Sequence, residues 1–210
     1  MLEAKGLRMQ YGARTVLDVP QLSVDDGACT VLVGANGSGK TTLLRILAGQ
    51  LKPTAGTFSA PQPVLYLPQR TYAFRGTVLQ NILIGMKNKK EDALSLLDRM
   101  ELTPLLQKQA RSLSGGELQR LAFCRLVLRD CKLLLLDEPT SACDTHAAAL
   151  LLQELQRYRK AQNCTVLLST HSRAVAAQIA DRCLLLENGC ITADGTPQEI
   201  WQNVPLMEDA

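Results

Sequence analysis

Apolar and polar positions follow two different patterns along this chain. In roughly the first thirty residues, short β-like runs such as "TVLDV" and "LSVDDG" are separated by turn residues, and "ACTVLVG" at 28–34 is an apolar run that ends in glycine. From residue 130 onward, the nearly continuous apolar runs "KLLLLD", "CTVLLST" and "DRCLLLENG" alternate with helical stretches. That alternation is typical of a parallel sheet covered on both faces. The β-rich start predicts an antiparallel sheet beside it.

Helical spacing of apolar residues indicates where the helices lie. It predicts helices in "KTTLLRILAGQL", "EDALSLLDRMEL", "GELQRLAFCRLVLR", residues 144–160, "SRAVAAQIA" and, at the end, "PQEIW", with a further strand at "VLYLP". We therefore expect one α/β domain over residues 1–210. Within it, a mostly helical lobe is predicted at about residues 70–125.

Composition excludes several classes of protein. The net charge of +3 over 210 residues is too small to argue for nucleic acid. No apolar stretch approaches the ~20 residues of a membrane span, and the start lacks the pattern of a signal peptide. The seven cysteines form no C-x-x-C pair, which favours free thiols over a zinc site. We expect a cytoplasmic protein.

A glycine-rich segment joins the first apolar strand to the helix that follows it. "GANGSGKT" at 34–41 matches G-x-x-x-x-G-K-[ST] in the strand–loop–helix context of a phosphate-binding loop. Glycines let backbone N–H groups surround phosphate oxygens, and the helix N-terminus attracts anions. The alternative is a strand-to-helix turn that binds nothing. The predicted nucleotide-binding residues here are Gly34, Asn36, Gly37, Ser38, Gly39, Lys40, Thr41 and Thr42.

Two adjacent carboxylates close a later strand, "LLLLDEP" at 133–139. Asp137 lies at the carboxyl end of the strand, where open α/β sheets bind ligands, and is expected to hold Mg²⁺. Glu138 points the other way on a strand of period two, so it can orient or deprotonate an attacking water. The alternative is a solvated turn.

Taken in order, "GANGSGKT", "LPQ", "LSGGE", "LLLLDEP", "SACD" and "STH" resemble one family over essentially the whole chain. The sequence is similar to nucleotide-binding subunits of ATP-binding cassette (ABC) transporters. The resemblance implies a P-loop NTPase fold with a mostly parallel core sheet, an N-terminal antiparallel β region and a helical signature subdomain. It also implies an ATPase that uses ATP and Mg²⁺.

The signature "LSGGE" offers a second anion cradle at a helix start, formed by Ser114, Gly115 and Gly116. In the family that the chain resembles, two cassettes pack head to tail. The signature of one then faces the phosphate loop of the other across ATP. The resemblance therefore implies that the two cradles in one chain serve different nucleotides, and that the partner is a second cassette, expected to be a second copy.

The other motif residues take their roles from the same resemblance. Gln69 resembles the glutamine that contacts Mg²⁺ or the attacking water. His171 resembles the switch histidine that contacts the γ-phosphate. The alternative for His171 is an ordinary residue at a strand end, which is the commoner role of a lone histidine. Asp144 matches the aspartate that crosses the dimer interface. Tyr11 resembles the aromatic residue that stacks on adenine, its alternative being a simple turn tyrosine. The implied metal ligands are Thr41, Gln69 and Asp137.

Two features depart from the family pattern. Cys143 occupies a position that is usually leucine, which predicts slightly looser packing. The stretch "GTFSAPQPVLYLPQ" before Gln69 is shorter than the usual β-hairpin. This shortening makes the subfamily harder to assign but leaves the catalytic motifs intact.

Because the chain has no predicted span, the resemblance implies a membrane-spanning permease on a separate chain, with this subunit peripheral at the inner face of the membrane. A solute-binding protein is a further partner that the resemblance allows. The apolar and aromatic segment 70–86 is the expected permease contact. The short build is similar to the ATPases of tungstate-type oxyanion importers. An exporter, a non-transport signalling complex, and a cassette acting on nucleic acid or the ribosome are the alternatives. The last is disfavoured by the single cassette and the modest charge, so no nucleic acid is expected.

Overall fold

A computed structural model describes residues 1–86 and 88–203 of the chain. Residue 87 and residues 204–210, which the predicted domain 1–210 includes, lie outside the described residues. The strands are β1 (Leu2–Tyr11), β2 (Arg14–Val24), β3 (Cys29–Val33), β4 (Ala55–Ser59), β5 (Val64–Leu67), β6 (Leu133–Asp137), β7 (Thr165–Thr170), β8 (Arg182–Glu187) and β9 (Cys190–Gly195).

The helices are α1 (Lys40–Leu47), α2 (Val78–Ile82), α3 (Lys90–Arg99), α4 (Gly115–Val127), α5 (Thr145–Gln162), α6 (Arg173–Ile179) and α7 (Pro197–Asn203). Two 3₁₀ turns, at Thr103–Leu105 and Ala110–Ser112, precede α4. α1 ends four residues before the end of the predicted helical stretch, because Gly49 takes a left-handed φ of 70° and closes it.

The N-terminal antiparallel sheet has the order β2-β1-β4. Its first two strands are long and continuous, whereas the sequence pattern predicted several short runs. They join in a tight hairpin in which Tyr11 pairs with Arg14. β4 was not predicted, because its residues are mostly exposed and carry no apolar alternation.

The second sheet has the order β5-β6-β7-β3-β8-β9. β6 pairs with β7, β7 with β3, and β3 with β8, all in parallel, while β9 pairs antiparallel with β8. This confirms the predicted mostly parallel sheet with an antiparallel sheet beside it. Every residue of β3, β6 and β7 is buried. Because parallel strands end at the same edge, the residues after these three strands are brought together there.

Contacts divide the chain into two compact units. The first comprises residues 1–66, 131–138 and the described residues from 162 onward, and the second comprises residues 67–130 and 139–161. The second unit therefore includes nearly all of α5 besides the segment predicted as a helical lobe. Within it, Phe123, Leu97, Met100 and Ile82 are fully buried.

Among the described residues, no helix combines the length and apolar character that crossing a membrane requires.

Asn81 organises the loop that leads into α2. Its side chain is fully buried. Asn81 Oδ1 accepts from the Phe74 N–H at 2.8 Å, and Asn81 Nδ2 donates to the backbone carbonyl oxygens of Phe74 and Thr77 at 3.2 and 2.9 Å. A capping box between Thr77 and Gln80 starts the helix. This short helix was not predicted, since it depends on hydrogen bonds rather than on apolar periodicity.

We expect Asn81→Ala to lower the free energy of unfolding by about 1–3 kcal/mol, because the loop's backbone groups lose their buried partners. Urea unfolding monitored by circular dichroism measures this change. Gln153→Ala, at an exposed position of α5, is the control and should change stability little. Equal stability of the two variants would show that the loop holds its shape without Asn81.

Candidate active site

The phosphate-loop sequence connects β3 to α1 as predicted. Gly34 follows β3 directly, with a φ of 155°. A Cβ atom added there would clash with the Leu186 carbonyl oxygen and would lie 2.8 Å from Ser38 Oγ. The Gly189 N–H donates to the Ser38 carbonyl oxygen at 2.9 Å, which fixes the loop against the β8–β9 turn. Close packing, together with the positive φ, therefore requires glycine at position 34.

The start of α1 is open to an anion. Gly39 precedes the helix without a side-chain cap, and the first turn carries no acidic residue. By contrast, Thr77, Ser114 and Ser172 cap α2, α4 and α6 through their hydroxyls. Uncapped N–H groups at a helix start bind phosphate well.

The loop side chains fit the same ligand. Ser38 Oγ is buried and, within the described part of the chain, has no hydrogen-bond partner. Asn36, Gly37 and Thr41 are exposed, and Thr42 is half-buried. Exposed backbone, an uncapped helix start and an unsatisfied hydroxyl together fit a phosphate group.

Lys40 is buried, with 6% of its surface exposed. Its ammonium group donates to the carbonyl oxygens of Gly34 at 2.6 Å and Ala35 at 3.1 Å, and Nζ lies 3.8 Å from Glu138 Oε1. Burial lowers the pKa of Lys40, and the nearby carboxylates Glu138 and Asp137 oppose that shift. The lysine charge is thus held within the loop and beside the carboxylates.

Asp137 ends β6 and is fully buried. The Ser169 hydroxyl donates to Oδ1 at 2.7 Å, and the Tyr66 hydroxyl donates to Oδ2 at 3.3 Å. Burial raises the pKa of Tyr66, and the neighbouring Asp137 raises it further. Two neutral donors therefore fix both oxygens of the carboxylate, and oxygen ligands of this kind suit Mg²⁺.

Glu138 lies beyond the strand, which corrects the sequence argument that assigned its direction from strand alternation. Its φ is 48°, a left-handed conformation that costs about 1–3 kcal/mol in a residue with a side chain. The Glu138 N–H donates to Ser169 Oγ at 3.0 Å and to the Ser169 carbonyl oxygen at 3.2 Å. Only 4% of the residue is exposed. The backbone turn, and not the pleat of the strand, sets the direction of this carboxylate.

His171 follows β7 and is about half exposed. Its Nδ1 lies 3.1 Å from Glu138 Oε2. The structure therefore brings together Lys40, Asp137, Glu138 and His171, four residues that the sequence predicted for one site. Their contacts all lie within the first unit.

The signature residues lie in the second unit, at the start of α4. The Ser114 hydroxyl accepts from the Glu117 N–H at 3.3 Å, and the Glu117 carboxylate accepts from the Ser114 N–H at 2.7 Å. The backbone hydrogen bond from Ser114 lowers the pKa of Glu117. Ser114 and Gly115 are exposed. Because the hydroxyl accepts in this capping box, its own proton remains available to an anion.

Gly116 allows a close approach within the second unit. A Cβ atom added there would lie 3.0 Å from the Ala142 carbonyl oxygen and 3.6 Å from Cys143 Cα. Cys143 is half-buried, and burial raises the pKa of its thiol. The segment "SACD" thus packs against the start of the signature helix, where a side chain at position 116 would interfere.

The remaining predicted residues are accessible. Tyr11 is 54% exposed at the β1–β2 hairpin. Gln69 is exposed just after β5, in the second unit. The Asp144 side chain is also exposed and accepts from the Ala147 N–H at 2.8 Å, at the start of α5.

A family model described as "ABC transporter" matches residues 17–141, which is more than half of the chain. The chain belongs to the ABC transporter family. A second model, described as "AAA domain, putative AbiEii toxin, Type IV TA system", matches the shorter range 107–177. As an ABC ATP-binding subunit, the protein is an ATPase.

Similar proteins cover nearly all of this ABC subunit. The zinc import ATP-binding protein ZnuC 2 of Aliivibrio fischeri is 33% identical over 205 residues, which span 95% of this chain and 84% of the relative. The spermidine/putrescine import ATP-binding protein PotA of Marinobacter nauticus is 32% identical, over 96% of this chain and 59% of its own length. A bacterial ABC transporter cassette solved as a dimer aligns with a TM-score of 0.84 and 24% identity, over 94% of this chain and 99% of the other, which supports the fold.

The sequence analysis missed two residues that contact this candidate site, Tyr66 and Ser169. Both reach Asp137 from neighbouring strands. Ser169 gave a weak signal, a polar residue inside the buried run "TVLLST". Tyr66 gave none, because an aromatic residue is ordinary in a strand.

We expect Lys40→Ala to weaken ATP binding roughly 10- to 150-fold, since hydrogen bonds to charged groups contribute about 1.5–3 kcal/mol. Equilibrium titration with a fluorescent ATP analogue measures the affinity. Lys52→Ala, an exposed lysine of the same unit, should bind like the wild type. An unchanged affinity in Lys40→Ala would rule out residues 34–41 as the phosphate site.

Proposed function

We propose that this ATPase is a separate energising subunit that drives the import of a small solute through a membrane permease carried on another chain. The observation that carries the proposal is the group formed by the buried Lys40, Asp137 and Glu138 with the half-exposed His171, beside an uncapped helix start. Such a site can hold a nucleoside triphosphate and hydrolyse it. The permease, and a position at the inner face of the membrane, are inferred from relatives that are named as import ATP-binding proteins.

In the proposed reaction, Lys40 and the loop N–H groups bind the phosphates. Glu138 orients or deprotonates the attacking water. His171 contacts the γ-phosphate and, through its 3.1 Å contact, helps to hold the Glu138 carboxylate.

Mg²⁺, when bound, would neutralise phosphate charge. Its proposed protein ligands are Thr41, Gln69 and Asp137, which provide hydroxyl, amide and carboxylate oxygens. Tyr11 is proposed to stack on the adenine, for which its exposed ring leaves room.

ATP closes two cassettes head to tail in this proposal. Ser114 and Gly115 are exposed at the start of α4, where the capping box leaves the serine proton available. This second cradle can therefore bind the γ-phosphate held by another copy's loop. Asp144 ends the segment "SACD", which packs against the start of α4, and is proposed to cross the same interface. A cassette of similar fold has itself been solved as a dimer.

The proposed permease contact is the segment 70–86. Tyr72, Phe74 and Ile84 are 60%, 40% and 40% exposed, respectively. The Arg125 guanidinium lies 5.6 and 5.0 Å from the ring centres of Tyr72 and Phe74, and it donates to the Tyr72 carbonyl oxygen at 2.7 Å. Arginine stacking orders these aromatic rings at the surface, which suits a protein contact.

The comparisons do not identify which small solute is transported. The relatives at 33% and 32% identity are named for the import of zinc and of spermidine or putrescine, a metal ion and organic cations. Because the sequence identities to the two relatives are nearly equal, they favour neither zinc nor polyamines as the solute of this chain. Import of an oxyanion such as tungstate, with a solute-binding protein, remains a prediction.

We expect Glu138→Gln to lower ATP hydrolysis by roughly 10²-fold or more, the effect of losing a general base. ATP binding should survive, because Lys40 and Asp137 remain. ATP should then trap the dimer, which size-exclusion chromatography with light scattering detects.

Glu3→Gln, an exposed β1 position, serves as the matched control. Hydrolysis at the wild-type rate in Glu138→Gln would remove Glu138 from the catalytic role.

We expect Ser114→Arg to leave ATP binding to the isolated subunit nearly unchanged but to block dimer formation and turnover, because the signature acts on the other copy's nucleotide. Fluorescent-analogue titration and light scattering test the two parts separately. Loss of ATP binding in the isolated variant would mean that both cradles serve one nucleotide.

A further inference from the structure

A single serine hydroxyl joins the two acidic residues of the site. Ser169 is fully buried in β7, and its backbone pairs in register with Asp137 of β6. Its hydroxyl donates to Asp137 Oδ1 at 2.7 Å and accepts from the Glu138 N–H at 3.0 Å. One group thus makes contact with the carboxylate of one residue and the backbone of the next.

The two contacts restrict different motions. The bond to Oδ1, together with that of Tyr66 to Oδ2, prevents the Asp137 carboxylate from rotating. The bond from the Glu138 N–H stabilises a peptide whose left-handed φ of 48° is unfavourable for a glutamate. That φ aims the Glu138 side chain at His171, 3.1 Å away.

We propose that Ser169 is a positioning residue for ATP hydrolysis, which sets the orientation of Asp137 and, through the backbone, of Glu138. The inference rests on the proposed roles of those two carboxylates. Ser169 does not touch the reacting atoms, and its hydroxyl exchanges no proton with substrate. Its effect is to keep both carboxylates in a geometry that their own backbone would not maintain.

The same sheet offers a buried hydroxyl with no such role. Thr30 is fully buried in β3, and its Oγ1 has no hydrogen-bond partner among the described residues. β3 is the other neighbour of β7, with Thr30 paired to Leu167. Thr30→Val therefore removes a buried hydroxyl from this sheet without touching the carboxylates, which makes it the matched control for Ser169.

The test compares Ser169→Ala, Ser169→Thr and Ser169→Val with Thr30→Val. We expect Ser169→Ala to lower kcat about 10- to 100-fold, the usual effect of removing a group that orients a metal ligand. Affinity for a fluorescent ATP analogue should fall when Mg²⁺ is present and stay at the wild-type value in EDTA, because Lys40 and the loop are intact. Thr30→Val should match the wild type in both measurements.

Threonine and valine have the same shape and differ by the hydroxyl, so that pair separates hydrogen bonding from packing. Ser169→Thr should hydrolyse ATP much faster than Ser169→Val and should regain the Mg²⁺ dependence of binding. Equal behaviour of the Thr and Val variants, or wild-type kcat in Ser169→Ala, would overturn the proposal. If Ser169→Ala unfolds in the assay, which thermal denaturation reveals, the Thr and Val pair decides.

Glu138→Gln, measured in parallel, separates this inference from the proposed function. Full hydrolysis by Glu138→Gln would refute the catalytic role of Glu138 and the positioning role with it. Lost hydrolysis in Glu138→Gln with normal kcat in Ser169→Ala would refute the positioning role alone.

Discussion

The burial of charge at the carboxyl edge of the six-stranded sheet is the constraint on which the rest of the site depends. Lys40, Asp137 and Glu138 are 6%, 0% and 4% exposed. Removing a charge from water costs several kcal/mol unless opposite charges and hydrogen bonds compensate. The parallel order β6-β7-β3 provides that compensation, because it ends three strands side by side. Each charged group then has a neighbour of opposite charge or a hydroxyl donor within reach.

The first N–H groups of an α-helix have no partner within the helix, and the helices of this chain satisfy them in two ways. α2, α4 and α6 satisfy their first N–H groups with a threonine or serine side chain. α1 has glycine at that position and no cap. Its unsatisfied donors are a stability cost that a bound anion can offset. α4 is intermediate, since it is capped by Ser114 but exposed at its first residues.

Much of the fold and most of the site could be read from the sequence. Buried apolar runs identified β3, β6 and β7, and helical spacing identified α1, α3, α4 and α5, because burial in a core requires those periodicities. β4, β9 and α2 were not predicted. The residues of β4 and β9 are mainly exposed or half-buried, and α2 depends on capping hydrogen bonds. The direction of Glu138 was argued from strand alternation and was wrong in its reason, because the strand ends one residue earlier.

The sequence by itself determined which residue types form the site and in what local context. A glycine-rich loop with a lysine, placed between a strand and a helix, has few other uses, and neither do two adjacent acids at the end of a later buried strand. Only the tertiary structure decided which groups hold those acids in place. Tyr66 and Ser169 lie 71 and 32 positions from Asp137 in the chain, and strand order alone brings their hydroxyls to its two oxygens. A hydrogen bond requires a distance near 3 Å, and no local pattern of residues encodes a distance between strands that are far apart in sequence.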